Sequence, residues 1–131
     1  MSEVDNGNLA GTNAKNMGAG LSLAVNILED MNSMQPSAWV MWDILDKHKD
    51  AEFVAPNGTN SEANTSNAQH IGTWGVGMVN HDTKEIELTQ KYYVYGQFTK
   101  YINPDDTIIA SSPKTLAAYN KDTGAIKIVA V

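Results

Sequence analysis

Residues 20–46 read GLSLAVNILEDMNSMQPSAWVMWDILD, and this stretch decides the fold. Leu21, Ala24, Val25, Leu28 and Met31 follow the i, i+3, i+4, i+7, i+10 spacing of one buried helical face. Asn26, Glu29, Asp30 and Asn32 fall mainly on the other side. The spacing predicts a helix over 17–34. Pro36, which cannot continue a helix, follows it. Residues 37–45, SAWVMWDIL, are short, apolar on both faces and flanked by turn signals. A strand covered on both sides, as in a parallel sheet wrapped by helices, reads this way. Helix then strand is the second half of a βαβ unit, which places the preceding strand at or before residue 1.

Upstream, residues 1–16 carry Gly7, Gly11 and four Asn and read as loop. Downstream, residues 46–70 are polar and rich in Asn, Asp, Ser and Thr, one long excursion. Residues 71–79 (IGTWGVGMV) and 84–88 (KEIEL) read as a short strand pair turning at 80–83. Residues 89–102 carry aromatic residues that suit a strand. The spacing Leu88, Tyr92, Tyr95, Phe98, Ile102 predicts a helix instead, with Thr89 as N-cap and Pro104 beyond its end. Three strands follow at 106–111, 115–120 and 124–131, the last two joined by the Lys121-Asp122-Thr123-Gly124 turn. The apolar final strand, like the half βαβ unit at the start, reads as part of a larger architecture.

Composition narrows the function. The 131 residues suit one domain. All nine cations are Lys, with fifteen Asp plus Glu and a net charge of −6. That balance excludes a phosphate-binding basic face, so no nucleic acid is expected as a partner, nor an anionic membrane surface. No apolar run approaches the roughly 20 residues that span a bilayer. With no Cys there is no disulfide, thiolate metal site or Cys nucleophile. No signal peptide is visible in the polar opening residues, and the compartment stays open.

The order SEVDNGN at 2–8, GLSLAVNILEDMN at 20–32, PSAWVMWDILD at 36–46, HIGTWGVGMVN at 70–80 and KYYVYGQFTKYINP at 91–104 resembles the end of the catalytic barrel in family 30 glycoside hydrolases, nearest the endo-β-1,6-galactanase-like enzymes. The resemblance covers about residues 1–112. It implies an α/β fold that is a fragment of a (β/α)8 barrel: the end of strand 7, helix 7, strand 8 and helix 8. Residues 1–102 would be the C-terminal end of that barrel, and 103–131 the start of a β-sandwich side domain. The parent would be a secreted retaining hydrolase of a β-linked, β-1,6-galactan-like polysaccharide, working without a cofactor.

The resemblance places the catalytic nucleophile at Glu3. The acid/base glutamate belongs to barrel strand 4, which has no counterpart in this chain, so the chain alone is expected to be inactive. Trp42 is expected to stack on a sugar ring and Trp39, three residues earlier, to pack on the opposite side. Asp43 reads equally as a sugar-hydroxyl ligand or a strand-end cap. Asp5 and Asn6 read as hydroxyl ligands or as an ordinary Asn/Gly turn. No metal site is expected: the 5–8 run lacks an EF-hand's alternation and terminal Glu, and Asp43, Asp46, His48, Asp50 and His70 have no tight ligand spacing. Trp74 and Tyr92, Tyr93, Tyr95 and Tyr101 read as packing between barrel and β-domain. The rival reading is a non-catalytic carbohydrate-binding or structural module. Either way the expected partner is a polysaccharide or oligosaccharide. Exposed strand edges are expected either to pair with a second copy or to be avoided by packing the two helices over a small mixed sheet.

Overall fold

The computed structural model describes Val4 and residues 16–42, 44–47, 75–79 and 83–131. It is a mixed α/β arrangement. Helix α1 (Met17–Ser33) is followed by strands β1 (Leu45–Lys47), β2 (Gly77–Val79) and β3 (Ile86–Leu88). Helix α2 (Gln90–Tyr101) and strands β4 (Thr107–Ile109), β5 (Thr115–Tyr119) and β6 (Ile126–Ala130) complete the described chain.

Helix α1 ends where the sequence says it must. Met34 is its C-cap and donates its amide to Asp30 O, Gln35 takes a left-handed φ of 47°, and Pro36 follows. The buried face differs from the expected one. Ala19, Gly20, Leu23, Ala24, Ile27 and Leu28 are buried, whereas Leu21 and Val25 are exposed. The cause is the packing of α1 on α2, which selects small residues. A Cβ built on Gly20 would lie 2.6 Å from Val94 Cγ2 and 3.0 Å from the Gln90 carbonyl oxygen. Only a residue without a side chain lets the helices meet this closely.

The expected strand 37–45 is corrected. Among the described residues of this segment, strand forms at Leu45–Lys47, and upstream Met41 alone joins a ladder, through a parallel bridge to Val4. Nor is this segment covered on both sides. Met41 is buried, while Val40, Trp42, Ile44 and Leu45 are exposed. The parallel partner of Met41 is Val4. Val4 donates its amide to Val40 O at 2.8 Å, and Trp42 donates to Val4 O at 2.8 Å.

Strands β1, β2 and β3 form one three-stranded sheet, parallel between β1 and β2 and antiparallel between β2 and β3. The strand pair expected over 71–79 and 84–88 therefore forms at 77–79 and 86–88. Helix α2 also forms as expected, but Thr89 secures it differently. Its hydroxyl does not cap the helix; it donates to Val76 O at 2.8 Å, and its amide donates to the same oxygen at 3.0 Å. Thr89 is buried there and ties the helix start to the entry of β2.

Strands β4, β5 and β6 form a separate antiparallel meander. Its tight turn is held by Gly124, with φ of 71°, donating to Asn120 O at 2.8 Å. Leu116 of β5 and Val129 of β6 join Leu23, Ile27, Leu28, Phe98 and Met41 in one apolar cluster. The two helices thus pack on each other and on this antiparallel sheet. The helices pack over the antiparallel rather than the mixed sheet. An ion pair fastens the sheet's margin. Lys127 Nζ donates to Asp106 Oδ2 at 2.6 Å, while Asn120 Nδ2 reaches Asp106 Oδ1 at 2.9 Å. Among the described residues, no helix is long and apolar enough to cross a membrane.

Candidate functional site

Trp42 is the one expected site residue inside the described chain. Glu3, Asp5, Asn6 and Asp43 lie outside it, as do His48, Asp50, His70, Trp74 and His81. Trp42 stands with 54% of its surface exposed, immediately after the bridge that joins Met41 to Val4. Because neighbouring residues of an extended chain point to opposite faces, burying Met41 turns the Trp42 indole outward. An exposed indole is the costlier choice for stability and the useful one for a ligand with apolar faces.

Trp39 does what was expected of it. It is half-buried against the core cluster, its ring centroid 5.9 Å from that of Tyr95 at a 50° tilt. Its Nε1 donates to Asp30 Oδ2 at 2.8 Å. Tyr95 is held from the other side. Burial raises the pKa of its phenol, and a hydrogen bond with the Met41 backbone partly offsets that rise. Trp39 and Tyr95 line one wall of a cleft of about 430 Å³ that also meets Ile27, Phe98, Ile108 and Asp106.

A second groove, about 520 Å³, runs along the outer side of α2 between Ile44, Val76, Tyr92, Tyr93, Gly96 and Lys100. Tyr92 and Tyr93 meet edge to face, centroids 5.4 Å apart, and both are exposed. Of the four tyrosines Tyr95 packs against the core, whereas Tyr92, Tyr93 and Tyr101 are exposed. Gly96 leaves the middle of the groove open, since a Cβ there would meet nothing within 4 Å. The signal was present in the sequence. Positions 92, 93, 96, 97 and 100 share one helix face, so two tyrosines flank a glycine on it.

The groove offers aromatic faces, the Gln97 amide and the Lys100 ammonium, and among the described residues no carboxylate lines it. Such a surface can bind a polyhydroxylated ring through C–H contacts and hydrogen bonds. Among the described residues, no group of three or more His, Cys, Asp or Glu comes together that could hold a metal ion. A scan against protein-family models finds no match, and no curated protein matches the chain.

Proposed function

We propose that this chain supplies the C-terminal part of the catalytic barrel of a retaining β-glycosidase acting on a β-1,6-galactan-like polysaccharide, and that Glu3 is its nucleophile. The resemblance in motif order to family 30 glycoside hydrolases motivates the reading. One observation supports it above others: the residue after Glu3 is hydrogen-bonded, in parallel, to the segment that carries Trp42. Val4, helix α1 and Met41 make a parallel β-α-β path, the repeating unit of a (β/α)8 barrel, whose active residues gather at the C-terminal ends of its strands.

The chemistry follows from two carboxyl groups about 5–5.5 Å apart. The Glu3 carboxylate attacks the anomeric carbon, while a protonated partner carboxyl gives its proton to the departing glycosidic oxygen. Water then attacks the glycosyl ester, the partner now acting as base. That partner is supplied from outside this chain. Trp42 forms the floor under the sugar, and Asp43, Asp5 and Asn6 hold its hydroxyls. The tyrosine groove favours a second reading, a non-catalytic saccharide-binding module, because it offers exposed aromatic stacking surfaces.

Titration with β-1,6-linked galacto-oligosaccharides, followed by tryptophan fluorescence, tests the site. A saturable change that Trp42→Ala weakens at least tenfold is expected. No saturable change, or one that Trp42→Ala leaves intact, overturns the role of Trp42. A 2-deoxy-2-fluorogalactoside with a dinitrophenolate leaving group departs without acid assistance, so it probes the nucleophile alone. A fluorogalactosyl adduct on the peptide containing Glu3, absent in Glu3→Gln, is expected. Saccharide binding with no such adduct favours the non-catalytic module.

A further inference from the structure

The β4-β5-β6 sheet ends in a strand built to be continued. Within the β5–β6 ladder, Asn120 N donates to Ala125 O at 2.9 Å and Val131 N donates to Lys114 O at 3.0 Å. Antiparallel pairing alternates, so residues 125, 127, 129 and 131 aim their backbone groups at β5. The N–H and C=O groups of Ile126, Ile128 and Ala130 therefore point away from the sheet. Among the described residues β6 is an edge in the strand order, and its pairing to β5 runs unbroken from Ile126 to Ala130, without a bulge.

Edge strands are normally protected by an outward lysine, a proline, a bulge or a covering element. β6 has no proline and no bulge. Its one charge, Lys127, is turned to the core side and held on Asp106. Ile126 and Ile128 stand on the opposite face with 63% and 64% of their surface exposed. They continue an apolar face that includes Ala117, flanked in the ladder by Ile109 and Ile128.

We propose that β6 pairs antiparallel with β6 of a second copy, joining two three-stranded sheets across a two-fold axis at Ile128. The register is self-complementary. Centred on Ile128, it sets Ile128 against Ile128, Ile126 against Ala130 and Ala130 against Ile126. All are residues whose polar backbone groups face outward. Each pair exchanges two hydrogen bonds, giving about six. The charge pattern selects the same edge. The molecule carries a net charge of −6, so most approaches of two copies are repulsive, whereas 125–131 holds no Asp or Glu side chain. In this register Lys127 lies opposite Val129 of the other copy, not opposite the other lysine. The pairing uses neither Trp42 nor Glu3.

Sedimentation equilibrium of the whole chain across the micromolar range tests it, with Ile128→Pro and Ile128→Lys as variants. Proline at 128 removes an amide that points away from β5, and lysine sits at an exposed position. Both are expected to keep the wild-type far-ultraviolet dichroism. A wild-type mass of twice 14.2 kDa, falling to 14.2 kDa in both variants, is the expected result. A wild-type monomer throughout the range, or a dimer that persists in either variant, overturns the pairing. So does an amide-exchange experiment in which Ile128 and Ala130 exchange as fast in the assembled protein as in the Ile128→Lys monomer.

Discussion

The indole Nε1 of Trp39 donates a 2.8 Å hydrogen bond to Oδ2 of Asp30. The bond runs across the end of α1 and fixes the direction in which the chain leaves the helix. Gln35, at a left-handed φ of 47°, and Pro36 make the reversal, and the bond holds its two sides together. The segment that carries Met41 and Trp42 is set in place by this closure.

Replacing Trp39 by Phe keeps a ring against Tyr95 and removes the donor. The loss is expected to be about 1–2 kcal/mol, one hydrogen bond to a carboxylate plus some contact area. Asp30→Asn keeps an acceptor oxygen and is expected to cost less than half as much. Urea unfolding of the two variants checks the order. Equal losses would mean that ring packing alone holds the corner.

Helix α1 shows how far the sequence could be read. Its limits were legible because Pro36 and the polar run before Met17 bound an apolar periodic segment. Its buried face was not, because α1 is apolar over more than one stripe. Leu21 and Val25 fit a helical spacing as well as Leu23 and Ile27 do, and Ala24 and Leu28 belong to either choice. The deciding contact involves Gly20, whose lack of side chain carries no weight in a hydrophobic pattern. The strand expected over 37–45 failed for a related reason. An apolar run shows that residues avoid water somewhere; Trp39 does so by packing on Tyr95 rather than by lying in a sheet. The candidate site was legible only in part. Alternation put Trp42 and Trp39 on different sides, whereas the outward turn of Tyr92 and Tyr93 depends on which face of α2 meets α1.

Gly20 and Gly96 give opposite expectations for one substitution. Alanine has the higher helix propensity by about 1 kcal/mol, so an unobstructed Gly→Ala stabilises. At Gly96 no atom obstructs the new methyl, and Gly96→Ala is expected to raise stability by up to about 1 kcal/mol. At Gly20 the methyl would meet Val94 and the Gln90 carbonyl, forcing the helices apart. Gly20→Ala is expected to lower stability by about 1–3 kcal/mol despite the propensity gain. Thermal unfolding of the pair checks both signs; stabilisation by Gly20→Ala would mean that the helices separate without loss.

The Asp106–Lys127 pair sets an acid limit for the β4-β5-β6 sheet. Hydrogen bonds from Lys127, from the Asn103 amide and from Asn120 lower the Asp106 pKa to about 2 from an ordinary value of 3.8. A carboxyl group whose pKa is lowered by folding binds its proton more readily when unfolded. Its contribution to stability is therefore fully present above about pH 4 and is lost as the pH falls through about 2. Asp106→Asn is expected to be less stable than wild type at neutral pH, with the gap closing between pH 4 and pH 2. Thermal midpoints of both proteins measured across that interval check the sign. A gap unchanged down to pH 2 would mean that Asp106 acts through its shape and not its charge.

Leu116 tests whether the helices and the antiparallel sheet unfold as one unit. It is buried on β5, in the same cluster as Leu23, Ile27 and Phe98 of the two helices. Truncation to alanine removes a full isobutyl group from that contact and is expected to cost about 2–5 kcal/mol, depending on how far the neighbours collapse into the space. If the cluster is one cooperative core, the loss reaches both sides of it. Helical dichroism and the amide-exchange protection of β5 and β6 should then fall together, at a single lowered midpoint. If residues 103–131 can unfold while α1 and α2 persist, Leu116→Ala will instead produce two transitions. The helical signal would keep its wild-type midpoint while sheet protection is lost earlier. Leu23→Ala, on the helical side of the same cluster, separates the cases from the other direction. One shared core requires it to loosen the β5–β6 amides as Leu116→Ala does, and two independent units require it to leave them unchanged.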